Sequence, residues 1–261
     1  PTVSLFGIGI DRLTRAEAAR RVLAWVERPR SRCRVVVTPN VDHVVLLAHH
    51  RGLRAVYADA DLVLADGAPV VWTSRLAGTP LPERVTGADL VPAIFDHAQE
   101  IHDAPGDGRR LTVFLLGAGP GVGDRAAAEI RRRWPAVTVV GVESPPIGFQ
   151  ARPEENERLV RAVAEARPDL LLVGLGAPKQ ELWVHAHRDR LDCVAALCVG
   201  ATIDFLAGEK PRAPAWMRRS GLEWAHRLAS EPGRLAKRYA RDAAVFPVLA
   251  ARQIWQSRLG G

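Results

Sequence analysis

Cysteine is scarce in this 261-residue chain, which holds only Cys33, Cys193 and Cys198. Three thiols cannot all pair with one another, and their spacing suits no structural zinc site. A disulfide framework is therefore not expected, and a reducing cytoplasm is the expected setting. Long apolar runs are also missing. No stretch approaches the roughly 20 residues of a membrane span, and the start of the chain shows no basic region ahead of an apolar signal core, which argues against export or membrane insertion. Charge imbalance is absent from most of the molecule too: residues 1–208 carry 25 Lys and Arg against 25 Asp and Glu. The whole net charge of +7 lies in residues 209–261, where eleven basic residues meet four acidic ones.

What is present supports a substantial core. At 28.4 kDa and 48% hydrophobic, the chain is long enough for one large α/β domain with an appendage. Leu5 to Ile10 reads as a first strand, followed by a capping box at Thr14-Arg-Ala-Glu17 that opens a helix. Arg34 to Val37 and Asp61 to Ala65 are short β-branched or apolar runs, each followed by a helical pattern, over 41–50 and 68–76. They predict parallel neighbouring strands joined by helical crossovers. Ligands of open parallel sheets sit beyond the carboxyl ends of the strands, so Thr38, Asn40 and Asp66-Gly67 are expected to meet over one rim. Each residue also has a plainer explanation, since Asp-Gly is a common turn dipeptide and Thr38 or Asn40 could simply cap the following helix.

Further along, the strand Leu111 to Leu116 runs into Gly117-Ala-Gly119-Pro-Gly121-Val-Gly123 and then a helix. Such a loop lets backbone N–H groups cradle a phosphate, which makes Gly117 and Gly119 candidate binding positions, although the pattern alone is weakly specific. Glu143, at the end of the next strand, stands where a dinucleotide fold would hold a ribose hydroxyl, or is merely a solvated strand end. The strand Asp169 to Leu175 leads into Pro178, expected at the first position of a helix, with Lys179, Gln180 and Glu181 above the same rim, although the helix dipole alone could explain Glu181 and solvent exposure Lys179. Gln180 offers a base or sugar both a donor and an acceptor. A last strand, Cys193 to Val199, ends the sheet. Asp59-Ala-Asp61 imitates a metal-binding pair, but it precedes its strand and is expected to be a solvated turn.

In the tail, Pro211, Pro214 and Pro232 are expected to divide the segment into short helices. Arg234, Lys237, Arg238 and Arg241 share one helical face, suited to an anionic surface or a diphosphate, while Leu235, Tyr239, Ala243 and Phe246 share another.

Taken together, Thr38-Pro-Asn40, Ala65-Asp-Gly67, Glu83 to Leu90, Gly174 to Trp183, Gly200 to Phe205 and the tail runs Arg212-Ala-Pro214, Gly221 to Trp224, Arg227-Leu228 and Glu231 to Leu235 resemble the WecG/TagA/CpsF family of bacterial glycosyltransferases. The resemblance implies a Rossmann-like, mostly parallel sheet flanked by helices over 1–208. A helical basic appendage over 209–261 would dock on the membrane and close the site. It implies inverting transfer, with no cofactor and no metal ion, from a UDP-sugar, best known as UDP-N-acetylmannosamine, to a sugar on a polyprenyl diphosphate. By position, Asp66 matches the general base, with Thr38 and Arg84 beside it as candidate catalytic residues. Asn40 matches the sugar pocket and Gln180 a substrate-binding position, while Arg227 and Arg234 match appendage residues that reach the leaving diphosphate. Gly67, Gly117, Gly119 and Lys179 complete the candidate binding set.

The expected partners are the UDP-sugar, the lipid-linked acceptor and the inner face of an anionic membrane, while self-association stays open. Glucosyl transfer is an alternative within the family. Two rival classes remain: a nicotinamide oxidoreductase, resting on Gly117 to Gly123 and Glu143, and a nucleic-acid binder, resting on the basic tail. No recognised nucleic-acid motif accompanies that charge, so nucleic acid is not an expected partner.

Overall fold

The β-branched runs pair into one sheet in the computed structural model, which describes residues 2–105 and 108–259. The chain opens with β1 (Thr2–Leu5) and β2 (Ile8–Asp11), then α1 (Arg15–Val26) and β3 (Arg34–Val37). Next come α2 (Val41–Leu47), α3 (Arg51–Asp59), β4 (Leu62–Val63), α4 (Ala68–Leu76) and α5 (Gly87–Asp103). The middle of the chain supplies β5 (Leu111–Gly117), α6 (Val122–Arg133), β6 (Val137–Glu143) and α7 (Pro153–Ala166). It continues through β7 (Leu170–Gly174), α8 (Lys179–His187), β8 (Ala195–Cys198) and α9 (Thr202–Leu206). The tail holds α10 (Ala215–Arg219), α11 (Glu223–Ser230) and α12 (Pro232–Leu259).

Strands β3 to β8 form a six-stranded sheet in the order β4-β3-β8-β7-β5-β6, parallel throughout. A parallel sheet covered on both faces needs strands that are apolar on both faces, which is why β7 and β8 read as unbroken apolar runs. Alternation still sorts the side chains: Val35 and Val37 enter one core layer and Val36 the other. The chain leaves β3 outward to the edge strand β4 and then crosses back to β5 on the far side of β8 and β7, so the winding reverses and a crevice opens above the carboxyl ends of β3 and β8.

Three expectations change. Leu5 to Ile10 is not one strand, because Phe6 and Gly7 take φ of +55° and +77° and turn the chain into a β1–β2 hairpin. Pro178 precedes α8 as its cap instead of occupying its first turn. Pro232 begins a helix of 28 residues that runs through Pro247, so the end of the tail is one long element. The packing of α12 against the body supports this length: Leu235 is fully buried, Phe246 joins the core layer that includes Val35 and Val37, and Phe6 lies 5.7 Å from the Phe246 ring. The Phe6 N–H also donates to Gln253 Oε1 at 2.8 Å. The hairpin thus clasps the tail helix onto the sheet.

The basic face of α12 is partly committed to the body. Arg238 lies 3.4 Å from Asp42 on α2, and Arg241 pairs with both Asp42 and Asp242. Only Lys237 of the described residues on that face remains exposed and without an ion pair, and the side chain of Arg234 lies outside the described residues.

Candidate active site

Asp66 leaves the edge strand β4 and is held in place by backbone. Its N–H donates to Pro39 O at 2.9 Å, just after the Leu64 N–H has donated to Val37 O at 3.0 Å. The loop after β4 is thereby laced to the loop after β3, bringing Asp66 beside Thr38 and Asn40. Asn40 caps α2, its Oδ1 accepting from the His43 N–H at 3.3 Å, and Thr38 Oγ1 donates to Cys198 O at 3.4 Å. Capping is therefore true of Asn40, and it does not remove the residue from the crevice. Thr38, Asn40, Asp66 and Gly67 all line a cavity of about 670 Å³, within the usual range for a small-molecule site.

The opposite wall comes from the tail. Gly221, Glu223, Trp224 and Arg227 from the α10–α11 region, and Arg238, Tyr239 and Phe246 from α12, face the same space. Gly221 is required there: its φ is +77°, and a Cβ would stand 2.7 Å from the Ala68 Cβ of α4. Arg84 spans the two walls, donating to Glu223 at 2.9 Å and to Arg218 O at 3.3 Å. Arg227 faces the cavity with its side chain in no hydrogen bond or ion pair among the described residues.

Burial pushes the Asp66 carboxyl up to about 7, against the pull of Arg84, with Glu223 adding to the rise and Arg227 and His43 opposing it. A carboxyl poised near neutrality in a cleft can accept a proton at physiological pH and release it again.

Other expected residues fall differently. Gln180 is buried at the cavity wall, but its amide is engaged at both ends, donating to Glu181 Oε1 at 2.7 Å and accepting from the Gly200 N–H at 3.2 Å. Lys179 is exposed and does not line the cavity. From the glycine loop only Ala118 does. Gly117 is needed for packing, since a Cβ there would lie 2.6 Å from the Gly174 backbone. Gly119 likewise stands off the cavity, its carbonyl taken at 3.3 Å by the Ser144 hydroxyl.

Glu143 is held by Arg158 through two bonds of 2.8 Å, which takes away the ribose-binding role it would need in a nicotinamide enzyme. Asp59 and Asp61 are not a solvated turn either. Both grip the buried Arg188 at the opposite end of β3, where Asp61 also accepts from the Val35 N–H at 2.8 Å. Among the described residues no group of three or more His, Cys, Asp or Glu side chains is arranged to hold a metal.

Four residues with no expected role also line the cavity: Glu223 and Trp224, which lie in the Gly221 to Trp224 run of the tail, and Asp242 and His43. The His43 position was open to detection: it stands three residues after the Asn40 cap, where a reciprocal capping partner belongs. The others meet the site only through tertiary contact.

A family model described as "Glycosyl transferase WecG/TagA/CpsF family" matches residues 3–260. The chain belongs to this family. Among similar proteins is an N-acetylglucosaminyldiphosphoundecaprenol N-acetyl-beta-D-mannosaminyltransferase of Bacillus spizizenii, 29% identical over 214 residues, covering 82% of this chain and 78% of the relative. A protein of the same name from Staphylococcus aureus strain MRSA252 is 25% identical over 251 residues, covering 96% of this chain and 93% of the relative. The match runs through the tail as well as the sheet, so both walls of the cavity fall within what the family shares. No helix among the described residues of this glycosyltransferase is long and apolar enough to cross a membrane.

Proposed function

We propose that the chain transfers N-acetylmannosamine, with inversion, from UDP-N-acetylmannosamine to a sugar carried on a polyprenyl diphosphate; the transferred group and the kind of acceptor are those its similar proteins are named for. The observation that carries this reading is the Asp66 carboxyl, poised at about 7 and facing a tail wall that contributes the uncommitted Arg227. In a single displacement, the acceptor hydroxyl oxygen bonds to the anomeric carbon as the bond from that carbon to the diphosphate oxygen breaks. The hydroxyl proton passes to Asp66, and the electron pair leaves with UDP. One base suffices for inversion, whereas a covalent retaining route would need a nucleophile as well.

Departing UDP gains negative charge, and cations aimed at it stabilise the transition state. Arg227 and Arg84 are the groups we assign to this work, with Arg84 exchanging its Glu223 partner for the diphosphate; Arg234 is assigned with them from the family resemblance. Thr38 and Asn40 would meet the sugar. Residues 209–261 act in this reading as the closing half of the site and as the contact with an anionic bilayer. Trp216 and Trp255 are more than half exposed there, and Lys237 and Arg252 are exposed as well.

The test is turnover of UDP-N-acetylmannosamine, and separately of UDP-glucose, with an N-acetylglucosaminyl polyprenyl-diphosphate acceptor. Product formation and a rise in melting temperature with UDP but not NAD are expected. Stabilisation by NAD and not by UDP would overturn the reading.

A further inference from the structure

Behind the cavity lies a buried polar chain that the reaction as described does not use. Glu181, on α8, is fully buried, and its Oε1 meets His43 Nε2 at 3.1 Å. The other ring nitrogen, Nδ1, lies 3.0 Å from Asn40 Oδ1. Glu181 Oε1 also accepts from Gln180 Nε2 at 2.7 Å, while Glu181 Oε2 and the Tyr57 hydroxyl are buried without hydrogen-bond partners among the described residues. A carboxylate can only accept, and Asn40 Oδ1 can only accept; two contacts compete for Nδ1, the Asn40 backbone N–H aimed at it from 3.4 Å and Oδ1 at 3.0 Å, and the shorter one is a hydrogen bond only when Nδ1 as well as Nε2 carries a proton.

The orientation of the amide follows from the same bonds. Asn40 Oδ1 already receives the His43 backbone N–H at 3.3 Å, so the oxygen is turned toward α2. The Nδ2 group is left with two N–H donors and no protein partner among the described residues, on a side chain that lines the cavity. A neutral ring protonated only at Nε2 would set the Nδ1 lone pair against Oδ1 and favour the flipped amide, which shows the cavity an acceptor instead.

We propose that Glu181 and His43 are a positioning pair that locks the Asn40 amide with its NH2 toward the cavity, so that Asn40 reads an acceptor oxygen on the sugar of the donor. The assignment of the ligand rests on the proposed function; the assignment of the pair does not. The surroundings favour the charged ring. Burial alone pushes His43 toward its neutral form, but the Glu181 carboxylate, with Asp42 and Asp66 further off, more than offsets this and raises its pKa. Asp42 is itself countered by Arg238 and Arg241 of α12, and Tyr57 of α3 stands edge-on to the ring. Glu181 is therefore the carboxylate that acts on His43 directly.

The experiment has two independent arms. In the full chain without ligand, nitrogen NMR of the His43 ring at pH 6.5, the ordinary midpoint of imidazole, should show both nitrogens mostly protonated; a ring mostly singly protonated there overturns the proposal whatever the enzyme turns over. In the second arm, Glu181→Gln keeps the shape and removes the charge. The KM for UDP-N-acetylmannosamine should rise about tenfold, the loss of one good hydrogen bond, with the effect falling on KM and not on kcat. Asn40→Asp, which still accepts from His43 but has no NH2 to donate, should raise KM at least as far. The wild-type KM should also rise as pH climbs through the His43 pKa, and in Glu181→Gln that rise should come at lower pH. An unchanged KM in either variant overturns the positioning role. Absence of turnover with any UDP-sugar would count against the proposed function while leaving the NMR result on the pair standing.

Discussion

The two walls of the cavity are built by different physics. The wall from the sheet is fixed by backbone hydrogen bonds and complete burial: β8 has no exposed residue, and Asp66 is tied to Pro39 main chain to main chain. The wall from the tail has no such lattice. Helix α11 buries none of its described residues, and the tail is held by a few apolar anchors such as Leu235 and Phe246 together with ion pairs crossing to the body. Arg84 to Glu223, Arg212 to Asp89 at 2.9 Å and Arg241 to Asp42 are the main ones. The first wall is suited to hold reacting groups in place. The second is suited to move, because a few anchors and part-buried ion pairs can separate together without breaking a backbone hydrogen-bond ladder.

The sharpest way to test the rigid wall is to remove its carboxylate. Asp66→Asn should lower turnover by about 10²- to 10⁴-fold, as expected for loss of a general base, while UDP still binds. In the wild type, kcat/KM should rise with pH and level off above about 7, where Asp66 becomes ionised. The stability effect has the opposite sense. Because the folded pKa of Asp66 lies above its unfolded value, the folded state binds the extra proton between about pH 4 and 7, and stability falls as pH rises through that window. Asp66→Asn should therefore melt higher than wild type at pH 8 and about equally at pH 3.5. Near-normal turnover would assign the proton to another group and leave Asp66 as a turn residue.

The contrast between the walls also explains what could be read from the chain alone. Arg34 to Val37 and Ala68 to Leu76 begin and end where their patterns say, because β-branched runs and helical spacing are local signals. The meeting of Thr38, Asn40 and Asp66 followed from one rule about parallel sheets. What escaped was set by tertiary contact. The hairpin turn at Phe6-Gly7 is hidden inside an apolar run, and Phe6, despite its positive φ, packs on Phe246 of the distant tail helix. Nothing in the spacing of Arg238 and Arg241 tells that Asp42, roughly 200 positions earlier, will occupy them. A basic face on a helix looks the same whether it meets lipid or a buried aspartate.

The tail wall can be loosened at that aspartate. Asp42→Asn leaves Arg238 and Arg241 without their shared charged partner on α2 and should cost about 1.5–3 kcal/mol of stability, the range for a hydrogen bond to a charged group. Limited proteolysis should then cut within residues 209–261 sooner than in wild type. Raising salt should speed cleavage of the wild type toward the rate of the variant and change the variant less. Equal cleavage at every salt concentration would show that the apolar anchors alone hold the tail.

The smallest effect is expected from the basic residues that the fold leaves outside. Lys237, Arg252 and Arg258 are exposed and make no ion pair among the described residues, unlike Arg238 and Arg241. If the tail meets an anionic bilayer, these three are the free charges that its described residues offer outside the cavity, each contributing on the order of 1 kcal/mol near the surface. Replacing all three with Gln should weaken sedimentation with phosphatidylserine-containing vesicles by about 10²-fold at low salt, with a smaller difference at high salt. Turnover on a water-soluble acceptor should stay within twofold, since none of the three lines the cavity. Replacing Arg238 and Arg241 instead should destabilise tail docking and lower turnover even on that soluble acceptor, because both side chains brace the wall that closes over Asp66. Equal loss of vesicle binding from the two sets, with turnover untouched by either, would mean that the ion pairs to Asp42 open at the membrane and that the tail wall is not needed for closure.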